Sequence, residues 1–238
     1  MSHLPSLEEI RGRIDHAILK PELTRTDVVE QLQLADSYQV FSVCVRPCDV
    51  AFARTELSSG VEVGTVIGFP HGTTSTAAKV AEATHALSDG AAELDMVLNI
   101  GWLRSGLMRE VERDIAAVVK ASEGRILKVI FETAFLTEAD IVAACSASEA
   151  AGADFVKTST GFAGGGATLE HIRLMRESVG PNVQVKASGG VRSLDTVLEL
   201  AAAGATRFGT SASAAILDEL AARLAGRAPT AAIDHESY

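Results

Sequence analysis

Four charged residues sit inside apolar runs, where a charge costs most. They are Asp95 in AELDMVLN (92–99), Lys128 in RILKVIFE (125–132), Lys157 in ADFVKTST (153–160) and Lys186 in NVQVKAS (182–188). Lysine is almost never fully buried unless it is paired, so this set points to a shared polar interior. Side chains of an extended chain alternate between its two faces. Lys157 then shares a face with Ser159, Lys186 shares one with Ser188, and Asp95 opposes Leu94 and Met96. Two ammonium groups about 6 Å apart at an effective dielectric near 20 repel by roughly 3 kcal/mol. That lowers the pKa of one lysine by about 2 from its usual value of about 10.4, and desolvation lowers it further. A neutral amine at pH 7 attacks a carbonyl to form a Schiff base. Asp95 and the second, charged lysine are left to move protons. The competing interpretation is a set of structural ion pairs filling a barrel.

Small residues cluster after several of the same runs: ThrSerThrGly at 158–161, GlyGlyGly at 164–166, SerGlyGly at 188–190 and GlyThrSer at 209–211. Backbone N–H groups at such turns and at helix N-termini bind anions. Ordinary strand-to-helix turns use the same residue types.

The elements that must position these residues follow from periodicity. Eight β-rich runs begin at 14, 40, 62, 92, 125, 153, 182 and 206, about 27 residues apart, as a βα unit requires. Helix-like segments lie between them, near 24–38, 49–57, 74–89, 103–121, 137–151, 168–178, 193–203 and 212–225. Thr24, Thr137 and Ser193 stand at helix starts as N-caps, and Gly90, Gly152 and Gly204 at helix ends. The pattern predicts an α/β fold, a single (β/α)8 TIM barrel, with its active site at the C-terminal ends of the strands and a phosphate site on the loops after strands seven and eight. An open doubly wound sheet is the second choice, and no strand here leads into a G-x-G-x-x-G turn. One domain is expected over 1–238, with a short N-terminal extension at 1–9 and a flexible, polar C-terminal tail at 226–238.

Composition narrows the function. The net charge of −10 argues against nucleic-acid binding, but a local positive site on an acidic protein still accepts an anion. No apolar stretch reaches the length of a membrane span and no signal peptide is evident, so a cytoplasmic protein is expected. Three cysteines do not suggest a disulfide framework. Cys44 and Cys48 have no histidine or cysteine partners at zinc spacing, so no metal site is expected. Cys44 reads as a buried structural thiol. His16, His71, His85 and His171 read mostly as surface or turn residues, and Trp102 as helix packing.

Five segments carry a resemblance. IDHAILKP (14–21), ELDMVLNIG (93–101), LKVIFET (127–133), VKTSTGF (156–162) and VKASGGVR (185–192) together resemble deoxyribose-phosphate aldolases, in order and spacing across residues 13–217. The resemblance implies a class I aldolase on a (β/α)8 barrel, with no cofactor or metal. It would reversibly cleave 2-deoxy-D-ribose 5-phosphate to D-glyceraldehyde 3-phosphate and acetaldehyde, in deoxynucleoside catabolism. It makes Lys157 the Schiff-base former, Lys186 its perturbing neighbour and proton-transfer partner, and Asp95 the activator of a relay water. It puts the phosphate on Thr160, Gly189, Gly190 and Ser211. It gives the terminal Tyr238 a role in proton abstraction at the acetaldehyde methyl, and it implies a homodimer or homotetramer. Three positions depart from the family: Ala17 stands where threonine is frequent, Phe162 where some relatives have lysine, and Ala212 where some have serine. A different Schiff-base aldolase and a non-catalytic phosphosugar-binding barrel remain as alternatives.

Overall fold

The computed structural model describes residues 4–57 and 60–227. Eight parallel strands close into one barrel in sequence order. They are β1 (Ile14–Ile18), β2 (Ser42–Val45), β3 (Glu62–Ile67), β4 (Glu93–Val97), β5 (Ile126–Ile130), β6 (Phe155–Lys157), β7 (Gln184–Ser188) and β8 (Arg207–Thr210). Pairing of Asp15 with Gly209 closes the ring. The helices are α1 (Leu7–Arg11), α2 (Arg25–Tyr38), α3 (Val50–Glu56), α4 (Thr76–Ser88), α5 (Ile100–Arg104), α6 (Met108–Ala121), α7 (Glu138–Ala150), α8 (Leu169–Glu177), α9 (Leu194–Ala202) and α10 (Ser213–Leu224). The expected barrel is therefore present, and each interval between strands holds at least one helix.

Alternation along the strands divides the protein into two interiors. One face, with Val43, Val63, Leu94, Leu127, Val156 and Val185, packs against helix residues such as Leu32, Ile115, Ile141 and Leu220 in a continuous apolar layer. The other face points into the barrel. It carries Asp15, Glu93, Asp95, Lys128, Lys157, Lys186 and Arg207, all less than 10% exposed. Toward the mouth, on the β1–β3 side, this inner face turns apolar, with Leu19, Cys44 and Val66 in contact.

Three expectations need correction. The segment 103–121 is two helices, not one. Gly106 (φ 70°) ends α5 in the left-handed conformation that favours glycine. Leu107 N–H returns to Trp102 O (3.0 Å) and Gly106 N–H to Leu103 O (2.9 Å), which closes a Schellman motif. Second, His16 is not a surface residue but fully buried, its ring nitrogens 2.8 Å from Ser213 Oγ and 3.0 Å from Gln31 Oε1. Third, part of the expected N-terminal extension is helical. Ser6 caps α1 in a reciprocal bond with Glu9, and Ile10 is buried. The tail beyond Arg227, including Tyr238, lies outside the described residues.

Candidate active site

Register brings the singled-out charges together. Lys157 is the last residue of β6 and pairs with Lys186 on β7, and Asp95 on β4 pairs with Lys128 on β5. Across the barrel, Asp95 Oδ2 accepts from Lys157 Nζ and Lys186 Nζ, both at 2.7 Å. Its Oδ1 accepts from Lys128 Nζ at 2.9 Å. Beneath this layer, Asp15 lies 2.5 Å from Lys186 and 2.8 Å from Arg207. Glu93 lies 2.7 Å from Lys128 and 3.1 Å from Arg207. Gly209 makes room for the crossing: a Cβ there would stand 3.0 Å from Ser188 Cβ and 3.3 Å from Lys186 Cε.

This buried network holds four cations against three carboxylates. Excess charge in a dry interior is relieved by loss of a proton. The partner count selects the donor. Lys128 faces Asp15, Glu93 and Asp95, and Lys186 faces Asp15 and Asp95, but Lys157 pairs with Asp95 alone. Accordingly, burial lowers the Lys157 pKa and Lys186 adds to the effect, against the pull of Asp95. Burial also acts on Lys186, but Asp15 and Asp95 outweigh it and raise its pKa. Asp95 is pushed up by burial and held well below the carboxylate range by its three lysines. The lysine repulsion expected from sequence is therefore real but secondary to desolvation. Burial, with Asp95 nearby, raises the Cys44 thiol to about 11.

Above the network opens a cleft. Lys157, Lys186, Ala17 and Cys44 line it, and so do Thr160, Gly189, Gly190, Arg192 and Ser211. Gly189 (φ 83°) and Gly190 (φ 74°) are consecutive positive-φ residues, a backbone that glycine adopts without steric cost and that lets a ligand approach the main chain closely. Ser211 stands just before α10, whose N-cap Ala212 makes no side-chain cap bond, and a helix N-terminus favours an anion.

The chain matches the DeoC/LacD family aldolase description over residues 12–219. It is 52% identical over 210 residues to deoxyribose-phosphate aldolase 2 of Staphylococcus aureus, covering 88% of this chain and 96% of that one. The corresponding Staphylococcus epidermidis enzyme is 51% identical, covering 87% and 94%. Among solved structures, a putative deoxyribose-phosphate aldolase from Coccidioides immitis superposes with a TM-score of 0.88 at 43% identity, covering 91% of this chain and 87% of that one. That of Aeropyrum pernix, described as a unique tetrameric structure, gives 0.82 at 31%, covering 92% and 93%.

The chain belongs to the DeoC/LacD aldolase family.

As an aldolase it is a lyase. Every described residue singled out for the site lies on one network or its cleft. Thr160 is there with a difference: its N–H and its hydroxyl both donate to Glu132, so it shapes the cleft wall without a free donor. Phe162 meets Phe69 edge to face, ring centres 5.3 Å apart. Sequence reasoning missed Asp15, which raises the pKa of Lys128 and Lys186, Glu93, which raises that of Lys128, and Arg207, which pairs with both acids. Asp15 and Glu93 had a usable signal, since each is an acid at an inward position of its run, Glu93 two residues before Asp95. Among the described residues, no group of three or more His, Cys, Asp or Glu side chains is placed to hold a metal.

Proposed function

We propose that this aldolase reversibly cleaves 2-deoxy-D-ribose 5-phosphate to D-glyceraldehyde 3-phosphate and acetaldehyde through a Schiff base on Lys157. The observation that carries the reading is the Asp95 carboxylate shared between Lys157 and Lys186 inside a network with one cation too many. The surplus proton leaves Lys157, and its neutral Nζ adds to the C1 aldehyde. Loss of water from the carbinolamine gives the iminium. The C3 hydroxyl proton passes to a water activated by Asp95. The C2–C3 bond then breaks, its electron pair flows into the iminium to give an enamine, and glyceraldehyde 3-phosphate departs. A proton added at C2 restores the iminium, and water releases acetaldehyde and the free lysine. Lys186, the charged neighbour, donates and recovers protons.

Gly189, Gly190 and Ser211 hold the phosphate, with Thr160 as the wall between it and Lys157. The terminal Tyr238 assists proton transfer at C2. Because the iminium is itself the electron sink, the reaction needs no metal or cofactor. Under this reading the protein acts in the cytoplasm, in deoxynucleoside catabolism, as a homo-oligomer. The tetrameric Aeropyrum pernix relative supports the assembly. The test is turnover of deoxyribose 5-phosphate against unphosphorylated deoxyribose. A far higher kcat/KM for the phosphate ester is expected, and equal values would remove the phosphate site.

A further inference from the structure

Glu132 is an irregularity beside the site that the reaction does not use. Its backbone is left-handed, at φ 58° and ψ 64°. Two other described non-glycine residues have positive φ, Gln39 and Glu123, and both are exposed; Glu132 is 1% exposed. The hydrogen bonds around it explain the conformation. Phe131 N–H reaches Lys157 O at 3.0 Å and Thr133 N–H reaches Thr158 O at 3.1 Å. Two steps along the chain after β5 thus match one step after β6, and Glu132 is the extra residue. Such a bulge re-aims a side chain and is common next to active sites. Strained backbone of this kind persists only where its surroundings enforce it.

The re-aimed carboxylate serves one residue. Glu132 Oε2 accepts the N–H of Thr160 at 3.1 Å and also its hydroxyl. Thr160 Oγ1 accepts in turn from Phe162 N–H at 3.0 Å. Oε1 is buried with no hydrogen-bond partner among the described residues. A residue serving only the turn would be glycine or asparagine, which take this backbone cheaply. Here the chain instead buries a carboxylate to hold the segment that follows Lys157. That segment is tied to the glycine loop: Ser188 Oγ donates to Ser159 O at 2.6 Å, and Ala167 N–H to Gly189 O at 3.0 Å.

We propose that Glu132 is a positioning residue for the phosphate end of the substrate. Through Thr160 it fixes the wall on which the Gly189–Gly190 loop rests, and it touches no substrate atom. The proposal rests on the reading of Lys157 and the phosphate loops given above. A hydrogen bond to a charged group is worth enough that its loss should raise the KM for deoxyribose 5-phosphate about ten- to hundred-fold in Glu132→Ala. In the same variant kcat should stay within about threefold. Glu132→Gln keeps an acceptor for Thr160 and should restore KM, and Thr160→Val should reproduce the rise. Borohydride capture of acetaldehyde on Lys157 needs no phosphate and should run at the wild-type rate in Glu132→Ala and Glu132→Gln. Unchanged KM in folded Glu132→Ala, or in Thr160→Val where the alanine variant does not fold, would overturn the proposal. So would slowed acetaldehyde capture, or a glutamine variant as impaired as the alanine one. Failure of the underlying reading looks different: wild-type protein that captures no acetaldehyde, or has one KM for both sugars, overturns both.

Discussion

Lys157 differs from its neighbours by what it lacks. With a single carboxylate partner it is the lysine that burial most easily deprotonates. Lys186→Leu removes a like charge and leaves Asp95 to Lys157 and Lys128. The Lys157 pKa then rises, by about 1–2. In the proposed route the neutral amine is the active form, so the acid limb of kcat/KM should move up by the same amount, with activity at pH 7 falling at least about ten- to hundred-fold and further through the lost proton donor. An unmoved limb would show that Lys186 does not tune the nucleophile. His16 gives a stability test. Burial lowers its pKa from 6.5 to about 4, against a bond to Gln31. The unfolded chain therefore binds a proton that the folded chain refuses between those values. Stability from this residue is complete above 6.5 and falls as pH drops toward 4, by roughly 3 kcal/mol at about 1.4 kcal/mol per pKa unit. Urea midpoints at pH 7 and pH 4 should differ less in His16→Asn than in wild type; equal differences would contradict the assignment. The lysines and Asp95 were legible because they interrupt apolar runs. His16 was not, since it differs from them only in facing the helices, where Ser213 and Gln31 lie 197 and 15 residues away.

Strand β4 carries Asp95 and is fixed from outside as well as from within. Lys79 on α4 donates to Val97 O at 2.9 Å and to Asp114 Oδ2 on α6 at 2.6 Å, and Thr76 donates to Asp114 Oδ1 at 2.7 Å. Both members of the ion pair are almost completely buried. Two helices are thereby clamped to the strand end just past Asp95. Asp114→Ala strands a buried ammonium and should cost about 3–5 kcal/mol in chemical denaturation. The double change Lys79→Met, Asp114→Leu should recover most of it, because an apolar pair of similar volume avoids the desolvation penalty. A loss below about 1 kcal/mol in the single variant would show that the clamp does little. Elements were legible in outline for a physical reason: outward Val, Ile and Leu recur at strand period, and capping residues mark helix starts. The break at Gly106 was hidden because leucines on both sides keep a helical pattern through it. The Lys79–Asp114 pair was hidden because periodicity says nothing of partners 35 residues apart.

Closure of the barrel is what turns separate strands into one site, since Asp95 and Lys186 are 91 positions apart and meet only across the interior. The fold was legible from the even spacing of its strands, whereas the polar filling below the mouth needed the register. The proposed role of the terminal tyrosine belongs to this scale, because it joins the end of the sequence to the barrel mouth. If Tyr238 assists at C2, Tyr238→Phe should slow proton exchange on the acetaldehyde methyl by about 10²–10⁴-fold, the usual worth of general acid–base help. Capture at Lys157 should be unaffected, and an unchanged exchange rate would make the tail a bystander. The central claim is that the buried network leaves Lys157 neutral and nucleophilic. It is tested most directly by incubating the protein with acetaldehyde and borohydride and mapping the adduct by mass spectrometry of the digest. The account predicts a single N-ethyl group, on the peptide that contains Lys157. An adduct on another lysine with Lys157 unmodified, or no adduct at all, would contradict it.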